Sequence, residues 1–195
     1  MNKILISLFF LLITNFNPAF GTDKARGFFI SFGVGPRVPI SNFASSTDLG
    51  YGFNLEFSYT DNNFIPLFLF AKLGYEQYPG AQGFYESTDY SNFSTTNVPF
   101  NAGIRYYFSP LLESAFLLIP LAEVSASFSY IKELHQFKLT SGKSNYFDEK
   151  YKVGFAAGVG VSMFLMEILA SYNYFESNQF ISADLKIRLP LLVIF

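Results

Sequence analysis

Apolar and polar positions alternate along most of this chain. In the clearest stretch, Leu49, Tyr51, Phe53, Leu55, Phe57 and Tyr59 are interleaved with Gly50, Gly52, Asn54, Glu56, Ser58 and Thr60. Successive side chains of a strand point to opposite faces, so this segment predicts a strand with one apolar and one small or polar surface. The same rhythm predicts seven more strands, near 26–36, 64–76, 97–108, 115–131, 151–164, 166–176 and 180–195. In the first, Phe28, Ile30, Phe32 and Val34 share one face. In the fourth, Val98, Phe100, Ala102, Ile104 and Tyr106 oppose Asn101, Gly103, Arg105 and Tyr107. The third breaks the rule, because Phe68 and Phe70 fall on its polar face.

Such strands build either a soluble sandwich or a membrane barrel whose apolar face is outside. The connections favour the barrel. Those near 37–48, 77–96 and 132–150 are long, whereas 61–63, 109–114 and the turn near Leu165 are short. Transmembrane barrels sort long external loops from short periplasmic turns in this way. Aromatic residues add to the case. Tyr59, Tyr106, Phe108 and Phe116 fall at one predicted rim, and Tyr51, Tyr75, Phe128, Tyr130, Tyr172 and Tyr174 towards the other, as interfacial girdles do.

Composition points the same way. Half of the residues are apolar, with 26 Phe and 13 Tyr, yet the segment after residue 21 contains no run of the ~18 apolar residues that a membrane helix needs. Residues 1–21 read as a secretory signal peptide: Lys3, an apolar core from Ile4 to Ile13, and an Ala19-Phe20-Gly21 exit. Residues 22–195 then form one barrel domain. Losing Lys3 takes the formal charge from −2 to −3, too mild for a nucleic-acid partner. The chain has no Cys, so disulfides, lipid anchoring through a thiol and thiolate metal sites are excluded.

With signal peptide, eight alternating strands, sorted loops and terminal Phe195, the chain resembles the small outer-membrane β-barrels, such as the transmembrane domain of outer-membrane protein A and the outer-membrane protein X group. The resemblance implies a closed, eight-stranded, antiparallel up-and-down barrel in the bacterial outer membrane, embedded in its lipid and acting as a monomer. It also implies that Leu191, Val193 and Phe195 form an assembly signal read by the barrel-insertion machinery. Pro190 removes a ladder donor, which predicts a bulge. No peptidoglycan-binding domain is expected after the barrel.

Candidate chemistry is sparse. Glu56, Glu123, Glu167 and Asp184 are expected to meet Lys72, Arg105, Lys186 and Arg188 in a narrow lumen, where eight strands leave room only for side chains. Opposed charges there predict a packed plug rather than an ion path. His135, the sole histidine, is expected in a solvated loop. Ser141 and Ser144 lie nearby in sequence, as a lipid-modifying hydrolase needs, but a loop holds such geometry poorly. Asp148 and Glu149 with Asp89 offer at most a weak calcium site, and no catalytic residue, resident metal or cofactor is expected. A non-enzymatic envelope or surface-interaction role follows, through loops 77–96 and 132–150, where Tyr78, Phe84, Tyr85, Tyr90 and Phe93 mix with Gly, Ser and Thr as in adaptable contact surfaces. A lipid hydrolase and a small-solute pore are the alternatives.

Overall fold

The computed structural model describes residues 26–61, 65–111 and 117–194. The expected signal peptide, Phe116 and Phe195 lie outside these residues. The described strands are β1 (Arg26–Ile40), β2 (Gly50–Asp61), β3 (Ile65–Pro79), β4 (Tyr90–Tyr107), β5 (Leu118–Phe137), β6 (Tyr146–Met163), β7 (Met166–Phe175) and β8 (Gln179–Ile194). Each pairs antiparallel with the next, and β8 returns to β1, closing the ring. Closure leaves the ring no free sheet edge, which a hydrocarbon layer demands. No described helix is long and apolar enough to cross a membrane; the strands cross instead.

The alternating pattern translates into two surfaces. Phe32, Val34, Phe53, Leu69, Leu73 and Val159 stand out from the wall, each more than half exposed. Between them Ser31, Asn54, Glu56, Lys72, Arg105 and Ser125 are buried inside. An apolar exterior on this scale is unstable in water and matches lipid, so the fold is an outer-membrane-type barrel. Inward glycines let the filled interior fit: a Cβ on Gly33 would lie 2.7 Å from Asn54 Oδ1 and 2.9 Å from Lys186 Cγ.

Several strands run further than the periodicity predicts. β1 extends to Ile40, β3 to Pro79, β4 starts at Tyr90, β5 reaches Phe137 and β6 starts at Tyr146. The apolar phase inverts where the wall leaves the membrane. There Phe93 and Ile131 point inward and are buried, 5 % and 1 % exposed, while polar residues meet water outside. A reading that follows outward apolar residues therefore stops early. Loop length does not sort the two ends cleanly either, since the connection 108–117 is as long as 80–89. The overhang of β4, β5 and β6 distinguishes the ends, and it marks the external mouth.

Closure carries one irregularity. Phe28 pairs with Leu192 and Phe29 with Pro190, so Leu191 is an extra residue in a bulge beside the proline. The bulge breaks the two-residue series read from Leu189 onward: Leu192, not Leu191, shares the outward phase with Leu189, and Val193 lies opposite Gly27.

Candidate functional site

The barrel interior is a charged core between two aromatic layers. Arg105 on β4, fully buried, is its hub. Its guanidinium donates Nη1 and Nη2 to Glu56 at 2.7 and 2.8 Å, and Nε and Nη2 to Glu123 at 2.8 and 2.5 Å; Glu167 lies 3.5 Å away. The planar fork suits this task, because it meets one carboxylate with two parallel bonds. Lys186 donates to Glu56 at 2.7 Å, and Lys72 to Glu123 at 3.4 Å. Arg188 lies 3.0 Å from Glu167, and the Tyr107 hydroxyl donates to the same carboxylate at 2.6 Å.

A second layer sits closer to the mouth. Arg37 donates to Glu76 and to Asp184, both at 2.8 Å. Asn97 and Tyr78 donate to Glu76 at 2.7 and 2.9 Å, and Asn54 donates to Asp184 at 3.1 Å. The structure thus brings seven of the expected lumen charges into one layer and assigns Asp184 to another, with Arg37 and Glu76, which the candidate set omitted. Arg37 falls in the predicted connection 37–48, just past a strand expected to end near residue 36 and flanked by Pro36 and Pro39. Both prolines instead lie within β1. Glu76 carried the available signal, an inward phase in the third strand.

Aromatic rings close the core at each end. Near the mouth Phe43, from a 3-10 turn at Ser41–Ser45, packs on Tyr78 at 4.8 Å, and Tyr78 on Phe180 at 5.7 Å. At the other end Phe68 packs on Phe29 and Tyr107, with Arg188 over all three rings at 5.2–5.6 Å. Phe70 lies beneath Arg105 at 5.0 Å. Phe68 and Phe70, the exceptions to the alternation, are therefore cation–π partners of the lumen arginines. Between the layers remains a cavity of ≈ 10 Å³ beside Arg37, Lys72 and Asp184, about the room of one water molecule.

Outside the belt, β4, β5 and β6 rise as a three-stranded prow. Helix α1 (Gln82–Ser87) folds against it: Tyr85 Oη donates to the Phe93 carbonyl at 2.9 Å, and Phe84 stacks on Tyr90 at 5.0 Å. Tyr90 stacks on Phe137 at 4.6 Å, and His135 on Tyr146 at 4.5 Å with an 8° tilt. Two lysines clasp the connections 80–89 and 138–145 together. Lys138 donates to the carbonyls of Tyr85 and Thr88, and Lys143 to Asp89 at 2.8 Å.

His135 accordingly sits in strand β5, buried, rather than in a solvated loop. It bonds to Tyr90, while Ser141 Oγ donates to the Lys138 carbonyl, so these two do not form a nucleophile–base pair. Asp89, Asp148 and Glu149 are likewise separated: Asp89 binds Lys143, Asp148 binds Lys150 and Glu149 binds Lys132. In each case the lysine beside the carboxyl holds its pKa below the ordinary range.

No protein-family model and no curated protein matches the chain. Among solved structures it is similar to Neisserial surface protein A, NspA, at 17 % identity and a TM-score of 0.48, over 86 % of this chain and 99 % of that one. It is also similar to Ail, the attachment invasion locus protein of Yersinia pestis, at 15 % identity and a TM-score of 0.45, over 86 % and 99 %. The barrel assignment stands on the chain's own closed ladder.

Proposed function

We propose that this protein is a non-enzymatic outer-membrane barrel that presents a rigid contact surface outside the cell. One observation carries the reading: β6 outruns β7 by residues 146–153, since its first partner on that side is Gly154 with Phe175. At ~3.3 Å per residue and a strand tilt near 40°, that overhang rises about 20 Å above the end of β7. Crossing a membrane needs no such extension. The prow is held by aromatic stacking and exposes Leu139, Tyr146, Phe147 and Tyr151, a mixture suited to protein or glycan contact. Its open edge carries Asp148, Glu149, Lys150 and Lys152, charges that discourage indiscriminate strand pairing.

The filled lumen speaks for a closed barrel rather than a pore. The engagement of the lumen carboxylates by Arg and Lys speaks against their use as acid–base catalysts. The second reading, envelope reinforcement by the barrel itself, is favoured by the same dense core.

Trimming separates the two. Replacing residues 134–147 by an Asn-Gly turn, which joins the cross-strand partners Glu133 and Asp148, removes the tip and leaves the belt intact. The surface reading expects normal insertion and detergent resistance of the cells, with loss of binding to host-cell or glycan-array surfaces. Unchanged binding in the trimmed barrel, together with a fragile envelope in cells lacking the protein, refutes it in favour of reinforcement.

A further inference from the structure

Three potential ligands converge on the inner face of the prow. Glu133 and His135 are two residues apart on β5, so they share a face, and Asp148 on β6 is the cross-strand partner of Glu133. One donor atom from each lies within 4.8 Å of the other two. Glu133 Oε2 and His135 Nε2 are 3.8 Å apart, too long for a hydrogen bond.

His135 supplies an independent sign that something belongs between them. The residue is 9 % exposed, and its Nε2 is buried with no hydrogen-bond partner, a costly arrangement for a polar atom. The other ring nitrogen, Nδ1, is 3.0 Å from the Tyr90 hydroxyl. With its proton on Nδ1 the ring donates to Tyr90. That tautomer leaves the Nε2 lone pair facing the two carboxylates, and a hydrogen bond that holds the other ring nitrogen in this way is what a ligating histidine ordinarily has. Stacking on Tyr146 fixes the ring plane.

A cation already occupies the position electrostatically. Lys150 Nζ lies 3.0 Å from Glu133 Oε2 and 2.7 Å from Asp148 Oδ2, on a side chain that is 43 % exposed and free to swing out. With Lys150 in place the two carboxylates and one ammonium sum to −1; a divalent ion in its stead brings the cluster to zero.

We propose that Glu133, His135 and Asp148 bind one divalent transition-metal ion of the zinc class, displacing Lys150. One imidazole and two carboxylates, with a fourth position open to water, match the three-ligand zinc sites. Calcium and magnesium prefer oxygen-only shells, so the imidazole sets the selectivity. Ligands held 2.0–2.1 Å from one ion lie roughly 3.3 Å apart in a tetrahedron, and rotamer changes of Glu133 and Asp148 cover the difference. The bound ion cross-links β5 to β6 and stiffens the prow. This goes beyond the surface-contact reading and does not depend on any partner.

The test uses the untagged full-length barrel, refolded in detergent and stripped of metal. Calorimetric titration with zinc chloride should give one ion per barrel. His135→Phe, which keeps the stacking, Glu133→Gln and Asp148→Asn should each weaken binding roughly tenfold or more. Lys150→Met should tighten it several-fold by removing the competitor, a change that a structural role for the cluster does not predict. X-ray absorption at the zinc edge of the unmutated protein should show one imidazole among N/O ligands at about 2.0–2.1 Å, independently of how the variants fold. The proposal is overturned by no binding up to millimolar zinc, by zinc without imidazole scattering, by affinity that survives His135→Phe, or by calcium binding as tightly as zinc.

Discussion

Removing the Arg105 guanidinium tests whether the lumen is a dry electrostatic core. Arg105→Met keeps most of the side-chain volume and deletes donors to Glu56 and Glu123, along with the nearby charge on Glu167. Stripping one partner from a buried ion pair costs about 3–5 kcal/mol, because the other charge is left uncompensated. Here three carboxylates lose a cation, which argues for more. Each keeps another, however: Lys186 on Glu56, Lys72 on Glu123 and Arg188 on Glu167. The expected loss therefore stays near ~3–5 kcal/mol rather than three times that. Urea titration of reversible folding into lipid vesicles measures it. Adding Glu56→Gln to Arg105→Met should deepen the loss, since it strips the buried Lys186 of its carboxylate; a double-mutant cycle reads the coupling. A loss under about 1 kcal/mol for the single change, typical of solvent-exposed pairs, would mean that water fills the lumen and that the dry-core reasoning is wrong.

Ile104 projects into the lipid between Leu69 and Val124, so Ile104→Arg should cost ~2–4 kcal/mol if it lies near the midplane; a neutral outcome in the same folding titration would reverse the inside–outside assignment. Gly103→Ser is mild on the sequence pattern alone, yet a Cβ there would lie 2.2 Å from the Val124 carbonyl oxygen, so it too should destabilise measurably. The Asp89–Lys143 clasp should respond to acid. Lys143 lowers the Asp89 pKa, so the clasp contributes fully above the ordinary carboxylate value near ~3.9 and is lost as pH falls through the lowered one. A spin label at Thr140→Cys, unique in this cysteine-free chain, should be immobile from pH 8 to 5 and mobilise only in stronger acid, while Asp89→Asn should mobilise it at pH 7. A label whose mobility ignores both changes refutes the clasp.

Within the membrane belt the fold was legible because one physical rule acts on every residue: lipid outside, packed polar groups inside. The prow was not, because water on its outer surface lets Phe93 and Ile131 turn inward, and the repeat changes sign without losing its period. The inner charges could be named from phase alone, but not paired. Glu56 meets Arg105 two strands away across the lumen, not its own neighbour, and sequence spacing carries no record of that distance. His135 was misplaced for a related reason. Its environment comes from register, which sets Tyr146 opposite it and Asp148 opposite Glu133, and register across a long connection cannot be read from either strand. Phe68 and Phe70 did carry a signal, since their departure from alternation marks where rings must serve arginines.

The crossed pairing of the lumen charges also bears on how the wall can form. Glu56 of β2 depends on Arg105 of β4 and on Lys186 of β8, and Arg37 of β1 on Asp184 of β8. Some pairs close early, as Arg105 with Glu123 on β4 and β5, but β8 alone brings Lys186 to Glu56, Asp184 to Arg37 and Arg188 to Glu167. A sheet entering lipid without its final strand therefore leaves these ions short of a partner. Intermediates are thereby penalised and the finished cylinder is not. The ion pairs act as a proofreading device in time: they make incomplete insertion unfavourable until the first and last strands meet.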